Sequence, residues 1–186
     1  MINREPMVKA LERVPDALSV IRFVDGFYRL PVEGAFVVDQ TAAPERVHAT
    51  VRIPKNTMTQ KGWLRWVILG DVDHTDGSPE DFTLRFRWGD GGPIILGGVA
   101  TAAGGSGTVL PWRLLAEIQC GPPGTATQIL IWATMFWQPG PVAGIFYGGG
   151  TFDTVSKNVK LNFSVELTAA HPGTHFRTIG SYMETF

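Results

Sequence analysis

One cysteine, four histidines and no long apolar run are the scarcities that bound this chain of 186 residues. Cys120 stands alone, so no internal disulfide can form and the fold has to come from a hydrophobic core. A chain of this size buries on the order of 70% of its unfolded surface, enough for one domain without a bridge or a structural metal. Cys120 itself falls on the apolar side of a candidate strand and reads as a buried structural thiol with no chemistry of its own. Charge of one sign is missing too: 16 Lys and Arg against 17 Asp and Glu leave a net charge of −1 and a pI of about 6.4. That balance argues against a nucleic-acid partner reached through a basic footprint. No stretch reaches the roughly eighteen consecutive apolar residues of a membrane helix. Around Arg4, Glu5 and Lys9 there is no apolar run suited to a signal peptide. The expectation is a soluble chain with no membrane partner.

The few histidines are badly placed for catalysis, which needs a nucleophile or an acid/base pair supported by a second group. Of His48, His74, His171 and His175, only His74 lies within a carboxylate cluster. The spacing of His171 and His175 matters only on a helix, which Pro172 and Gly173 forbid. Ser106, in Gly105-Ser106-Gly107, lacks the strand-to-helix setting of a nucleophile elbow. All of these are expected in loops. The acidic stretch Asp71 to Asp81 comes nearest to a cation site, with Asp71, Asp73, Asp76, Glu80 and Asp81. A calcium loop needs Gly at its sixth position and Glu at its twelfth, where this chain has Asp76 and Phe82. The stretch therefore reads as a solvated connector. No catalytic residue, cofactor or metal is expected, and the chain reads as a non-enzyme.

What the chain does have is alternation. From Asn158 to Thr168, Val159, Leu161, Phe163, Val165 and Leu167 point one way while Lys160, Asn162, Ser164, Glu166 and Thr168 point the other. That is a strand with one packed and one solvated face, as in an antiparallel sheet. Gly148 to Gly150 before it and His171 to Gly173 after it read as turns, and the segment from Thr174 onward as its hairpin partner. Phe82 to Trp88 repeats the pattern, with Arg85 and Arg87 outward, as do Pro111 to Cys120 and Val47 to Ile53, where His48 is expected outward. Two arginines on a wet face read as solvated or paired rather than as an anion site. With 22 glycines and 13 prolines, the composition favours many short strands and tight turns. Ile94 to Leu96 is one such strand, and Gly97 to Thr108 reads as a loop with no phosphate-binding ending. Asp25-Gly26 suggests a small hairpin between Ser19 to Phe23 and Phe27 to Leu30, followed by a short strand at Ala35 to Asp39.

Two strands are apolar on both sides. Gly62 to Gly70 carries Trp63 and Trp66 on opposite faces, and Ala126 to Trp137 carries Ile129, Ile131, Ala133, Met135 and Trp137 against Leu130, Trp132 and Phe136. One sandwich core absorbs one face of each, so the other needs a cover. Met7 to Val14 has helical spacing, with Met7 and Leu11 on one side and Pro15 as its end. Alone it is marginal, and it either packs on its own domain or docks on a partner. Trp63, Trp66, Trp132, Phe136, Trp137, Met7 and Leu11 are accordingly the candidate subunit or partner interface. The domain boundary falls between an arm, 1–46, and a β-sandwich, 47–186.

From Val51 onward the order of these pieces is distinctive. Val51-Arg52-Ile53-Pro54-Lys55-Asn56-Thr57, Trp63-Leu64-Arg65 with Gly70-Asp71, and Phe82-Thr83-Leu84-Arg85-Phe86-Arg87-Trp88-Gly89 are followed by Trp112-Arg113-Leu114-Leu115-Ala116-Glu117-Ile118. A strand with Ala133, then Phe152-Asp153-Thr154, Val159-Lys160-Leu161-Asn162-Phe163-Ser164-Val165 and Glu184-Thr185, complete the order. In pattern and order this resembles jelly-roll virion proteins of tailed bacteriophages, the capsid decoration and fibre-knob proteins. The resemblance implies an all-β antiparallel sandwich of jelly-roll type with a short N-terminal arm, assembled as a homotrimer. It further implies a cement protein on the head surface, stabilising the shell through the major capsid protein. The alternative is a tail-fibre, baseplate or head-fibre knob that binds a host glycan or receptor, with Trp63, Trp66, Trp132 and Trp137 as sugar-stacking candidates. Flanking Ile, Leu and Val make those tryptophans core or subunit-interface aromatics in the competing reading. A jelly-roll enzyme of the cupin sort would need clustered histidines and a carboxylate on adjacent strands, and that pattern is missing.

Overall fold

The computed structural model describes residues 22–24, 27–30, 32–33, 38–41, 44–54, 63–74, 80–89, 91–102, 108–120, 127–137, 142–152, 158–168 and 174–185. The expected helix Met7 to Val14, with Met7 and Leu11, lies outside them, as do Ser106, His171 and the Asp25-Gly26 turn. Thirteen strands make up the described elements. They are β1 (Arg22–Val24), β2 (Phe27–Leu30), β3 (Val32–Glu33), β4 (Val38–Gln40), β5 (Arg46–Ile53), β6 (Trp63–His74) and β7 (Glu80–Trp88). There follow β8 (Ile94–Ala102), β9 (Thr108–Cys120), β10 (Thr127–Trp137), β11 (Val142–Phe152), β12 (Val159–Leu167) and β13 (Thr174–Thr185). An eight-stranded sheet runs β1-β2-β13-β6-β9-β10-β11 with β4 also pairing β13, and a five-stranded sheet runs β3-β5-β12-β7-β8. Every pairing is antiparallel. Consecutive strands change sheets at β5, β6 and β7 and again at β11, β12 and β13, giving the expected antiparallel sandwich of jelly-roll type.

The alternation explains the core. Leu64, Trp66, Ile68 and Val72 of β6, Trp112, Leu114, Ala116 and Ile118 of β9, and Ile129, Ile131, Ala133 and Met135 of β10 face the smaller sheet. From that sheet Phe82, Leu84 and Phe86 of β7 and Leu161, Phe163 and Val165 of β12 face back. Aromatics dominate the middle: Trp112 stacks on Phe176 with ring centroids 4.9 Å apart, and Phe163 meets Phe86 at 5.4 Å. Gly70 is small of necessity, since a Cβ there would strike the Trp112 ring and the Arg177 carbonyl.

Several expectations are corrected. The final segment is not a hairpin partner of β12; β13 crosses to the larger sheet and lies there between β2 and β6. Gly148 to Gly150 is not a turn but part of β11, where a Cβ on Gly148 would collide with the Ile95 carbonyl of β8. Glycine here serves the close approach of two sheet edges. The loop expected from Gly97 onward is β8 as far as Ala102, so the strand is longer than Ile94 to Leu96. His48 turns inward, not outward. The pairing of β12 with β5 skips it, passing from Phe163↔Ala49 to Ser164↔Val47, and this bulge sets His48 and Ala49 on the core side while Val47 is exposed. Nor is the far side of β12 wet throughout, for Asn162 and Ser164 are 3% and 0% exposed.

Candidate functional site

The outer face of the smaller sheet carries a connected polar network, with Val47, Ile94 and Val99 exposed beside it. Glu45, in the stretch before β5, accepts from Arg87 Nε and Nη2 at 2.7 Å each, from Ser164 Oγ at 2.6 Å and from Arg85 Nη1 at 3.3 Å. Arg85 also pairs with Glu166 at 2.5 Å, so both arginines are paired, as the sequence suggested. Hydrogen bonding from Arg87, helped by Ser164 and the two guanidinium charges and opposed by partial burial, lowers the Glu45 carboxyl to about 2. Next to it Thr50 donates to Asn162 Oδ1 at 2.7 Å, and Asn162 Nδ2 donates to the Gly89 carbonyl at 3.2 Å. This network is why Asn162 and Ser164 are buried.

The outer face of the larger sheet is different. Outward positions alternate along each strand: Trp63, Arg65, Val67 and Leu69 on β6, Arg113, Leu115, Glu117 and Gln119 on β9, Leu130, Trp132, Thr134 and Phe136 on β10. Tyr147 and Ile145 of β11 continue it. Trp63 is 39%, Trp132 40% and Tyr147 82% exposed. The Trp63 and Trp132 rings come from strands that flank β9, yet lie 15° from parallel with centroids 6.5 Å apart, an offset-stacked pair. Tyr147 sits opposite Trp132 in register. Beside the rings Arg65 donates to Glu117 Oε1 through Nε at 3.3 Å and Nη2 at 2.9 Å. Trp63, Leu64, Arg65 and Glu117 line a shallow cleft of about 250 Å³. Apolar rings next to a guanidinium-carboxylate pair can pack a flat C–H surface and at the same time exchange hydrogen bonds with hydroxyl groups.

The structure thus divides the candidate residues. Trp63, Trp132 and Phe136 share the outer face, the first two in contact. Trp66 is fully buried between the sheets and Trp137 packs against the same core. Met7 and Leu11 lie outside the described residues. Reasoning from sequence missed Arg65, Glu117 and Tyr147. Each stands at an outward position of a strand that was recognised, but only the β6–β9–β10–β11 register shows that they meet the tryptophans.

Among the described residues, His48, His74, His175, Asp71, Asp73, Glu80 and Asp81 stand on strands, not loops. His48 Nε2 donates to Gln40 Oε1 at 2.7 Å and its Nδ1 accepts from Thr178 Oγ1 at 3.0 Å; this tautomer is assigned because Gln40 Nε2 donates to the Pro44 carbonyl at 2.8 Å. Burial, with Arg46 nearby, pushes the imidazole down to about 4. His175 meets Asp39 at 3.0 Å. Asp71 and Asp73, expected in a solvated connector, belong to β6, where Arg177 Nε binds Asp71 at 2.5 Å and Nη2 lies 3.8 Å from Asp73. Hydrogen bonding to Asp71 raises the guanidinium pKa further. The arginine supplies the charge that a cation would supply there. Among the described residues no group of three or more His, Cys, Asp or Glu is arranged to hold a metal ion.

No protein-family model matches this chain, and no curated protein is similar to it in sequence. Among solved structures, the CBM2 module of the evolved Dit of Lactobacillus casei BL23 phage J-1 is similar at TM-score 0.38 and 14% identity, over 94% of this chain and 84% of that one. The metal-free lectin I-B4 of Griffonia simplicifolia is similar at TM-score 0.39 and 9% identity, over 89% and 90%. Peanut lectin with a 9mer peptide gives 0.36 and 11%, over 89% and 94%. At these identities and TM-scores no function or residue role is carried across.

Proposed function

We propose that this chain is a non-enzymatic structural component of a tailed-phage virion that binds a host-surface carbohydrate through the outer face of its larger sheet. The virion part rests on the order and pattern of strands from Val51 to Thr185. The binding part is carried by one observation, the exposed, near-parallel Trp63 and Trp132 rings beside the Arg65–Glu117 pair. A pyranose ring has one face of C–H groups and a rim of hydroxyls. Its C–H face packs on an indole, while its rim needs a donor and an acceptor held in fixed positions. Arg65 and Glu117 hold each other in such positions. A glycan array probed with the full chain, followed by calorimetric titration of the hits, tests this. Trp63→Ala and Trp132→Ala should each weaken binding at least about tenfold, a change of roughly 1.4 kcal/mol. Unchanged affinity in both would remove the proposal.

A second reading uses the same face as a subunit or shell interface, as in a trimeric cement protein bound to the major capsid protein. It is favoured by the apolar surface beyond the tryptophans: Leu69, Leu130, Ile145 and Tyr147 are all exposed. Light scattering that gives a trimer, together with particles that lose heat resistance but still adsorb to cells when the protein is missing, would select it.

A further inference from the structure

We infer that the Trp63–Trp132 face takes uncharged pyranose glycans and rejects acidic ones. This rests on the carbohydrate reading above and names its ligand class. One cross-strand row carries the observation. Glu184 of β13, Arg65 of β6, Glu117 of β9, Trp132 of β10 and Tyr147 of β11 stand opposite one another in successive registers. Arg29 of β2 holds the next register position beyond Glu184. Charge therefore alternates from Glu184 through Arg65 to Glu117, with no two cations side by side in this stretch of the row before the aromatic rings.

The order of charges matters as much as their sum. Glu117 stands between Arg65 and Trp132, so a ligand seated on Trp132 meets a carboxylate before it meets a guanidinium. The Arg65 charge is already engaged by Glu117 through Nε and Nη2, and both side chains remain partly exposed at 42% and 37%. Arg113, the other outward cation of β9, is four residues along the strand from Glu117, about 13 Å away, beyond a Debye length at ordinary salt. Its register partners are Leu69 and Phe136, not the tryptophan pair. A uronate, sialyl or phosphorylated sugar placed on the rings would have to approach Glu117, and among the described residues of this row the neighbouring cation, Arg65, is already engaged by that carboxylate. Two neighbouring hydroxyls of a neutral sugar meet a carboxylate that accepts and a guanidinium that donates.

The test titrates the full chain with matched probes: lactose against sialyllactose, and maltotriose against trigalacturonate. The neutral member of each binding pair should be at least about tenfold tighter. The gap should shrink as salt is raised, because exposed charges are screened. In Glu117→Gln the neutral ligand should weaken several-fold while the ratio of neutral to acidic affinity moves towards one. Acidic ligands bound as tightly as neutral ones, or a ratio that Glu117→Gln leaves unmoved, would overturn the inference and leave carbohydrate binding standing. Failure of every neutral and acidic glycan to bind would overturn both.

Discussion

On the smaller sheet Glu45 lies over Arg85, Arg87 and Ser164, and on the larger sheet Trp63, Trp132 and Tyr147 stand open. Both faces are the outward halves of alternating strands, and both have one core beneath them. They differ in whether the chain supplies its own cover. The smaller sheet spends its polar groups on one another, so Asn162 and Ser164 are buried and each has a partner. The larger sheet keeps Trp63, Trp132 and Tyr147 exposed next to the Arg65–Glu117 pair, an arrangement open to a partner. A self-satisfied face contributes stability and an unsatisfied face is available for a partner. Mutations on the two should therefore separate folding from binding.

The largest effect should come from beneath both faces. Phe163→Ala and Phe86→Ala each remove a fully buried ring and should cost about 3 to 5 kcal/mol in chemical denaturation, while Lys160→Ala, on the outward face of β12, costs little. The reverse order would mean that the strand faces are assigned backwards.

Acid should act next. The His48 imidazole is held down to about 4, so the unfolded chain gains its proton near 6.5 and the folded chain only near 4. Stability is full above about pH 6.5 and falls by about 3 kcal/mol as pH drops through that window. Glu45 is also held down, to about 2, and its contribution is present above its ordinary 4.5 and lost as pH falls from there towards 2. Melts from pH 7 to pH 3 should decline in two stages, and His48→Gln should flatten the upper one. A melting temperature constant across pH 6.5 to 4 would contradict the buried neutral histidine.

On the closed face, Glu45→Ala removes the acceptor of the buried Ser164 hydroxyl and of Arg87 Nε and Nη2, leaving Arg87 its bond to the Gly92 carbonyl, and should cost about 1 to 3 kcal/mol with glycan affinity unchanged. On the open face, Trp132→Ala should cost about 1 kcal/mol or less while binding is lost. If Glu45→Ala impaired binding and Trp132→Ala unfolded the protein, the contrast between the faces would fail.

Much of this architecture was legible. The period of two placed Phe82, Leu84 and Phe86, the alternate residues from Trp112 to Ile118 and those from Val159 to Leu167 on the core side. It marked β6 and β10 as two-faced, but which of their faces meets the core shows only in the fold, where Trp66 is inside and Trp63 and Trp132 are outside. Alternation says which residues turn away from the core, but not whether anything covers them. Asn162 and Ser164 were therefore expected to be wet until Glu45 was seen above them. It also fails at a bulge, since one skipped residue reverses the faces, which is how His48 came to be expected outward. Glycine is ambiguous for a different reason. Gly148 to Gly150 reads equally as a turn or as room for a neighbouring backbone, and only the packing of β11 against β8 decides. Arg65 and Glu117 are remote in sequence and meet through strand order, which composition does not encode.

The most direct test of the open face follows the indole N–H signals of the tryptophans by two-dimensional nitrogen–proton NMR while a neutral glycan hit is titrated in. The account predicts saturable shifts for Trp63 and Trp132, with the buried Trp66 and Trp112 nearly unmoved. Shifts confined to residues of the smaller sheet, or a bound ligand that leaves both Trp63 and Trp132 unperturbed, would contradict it.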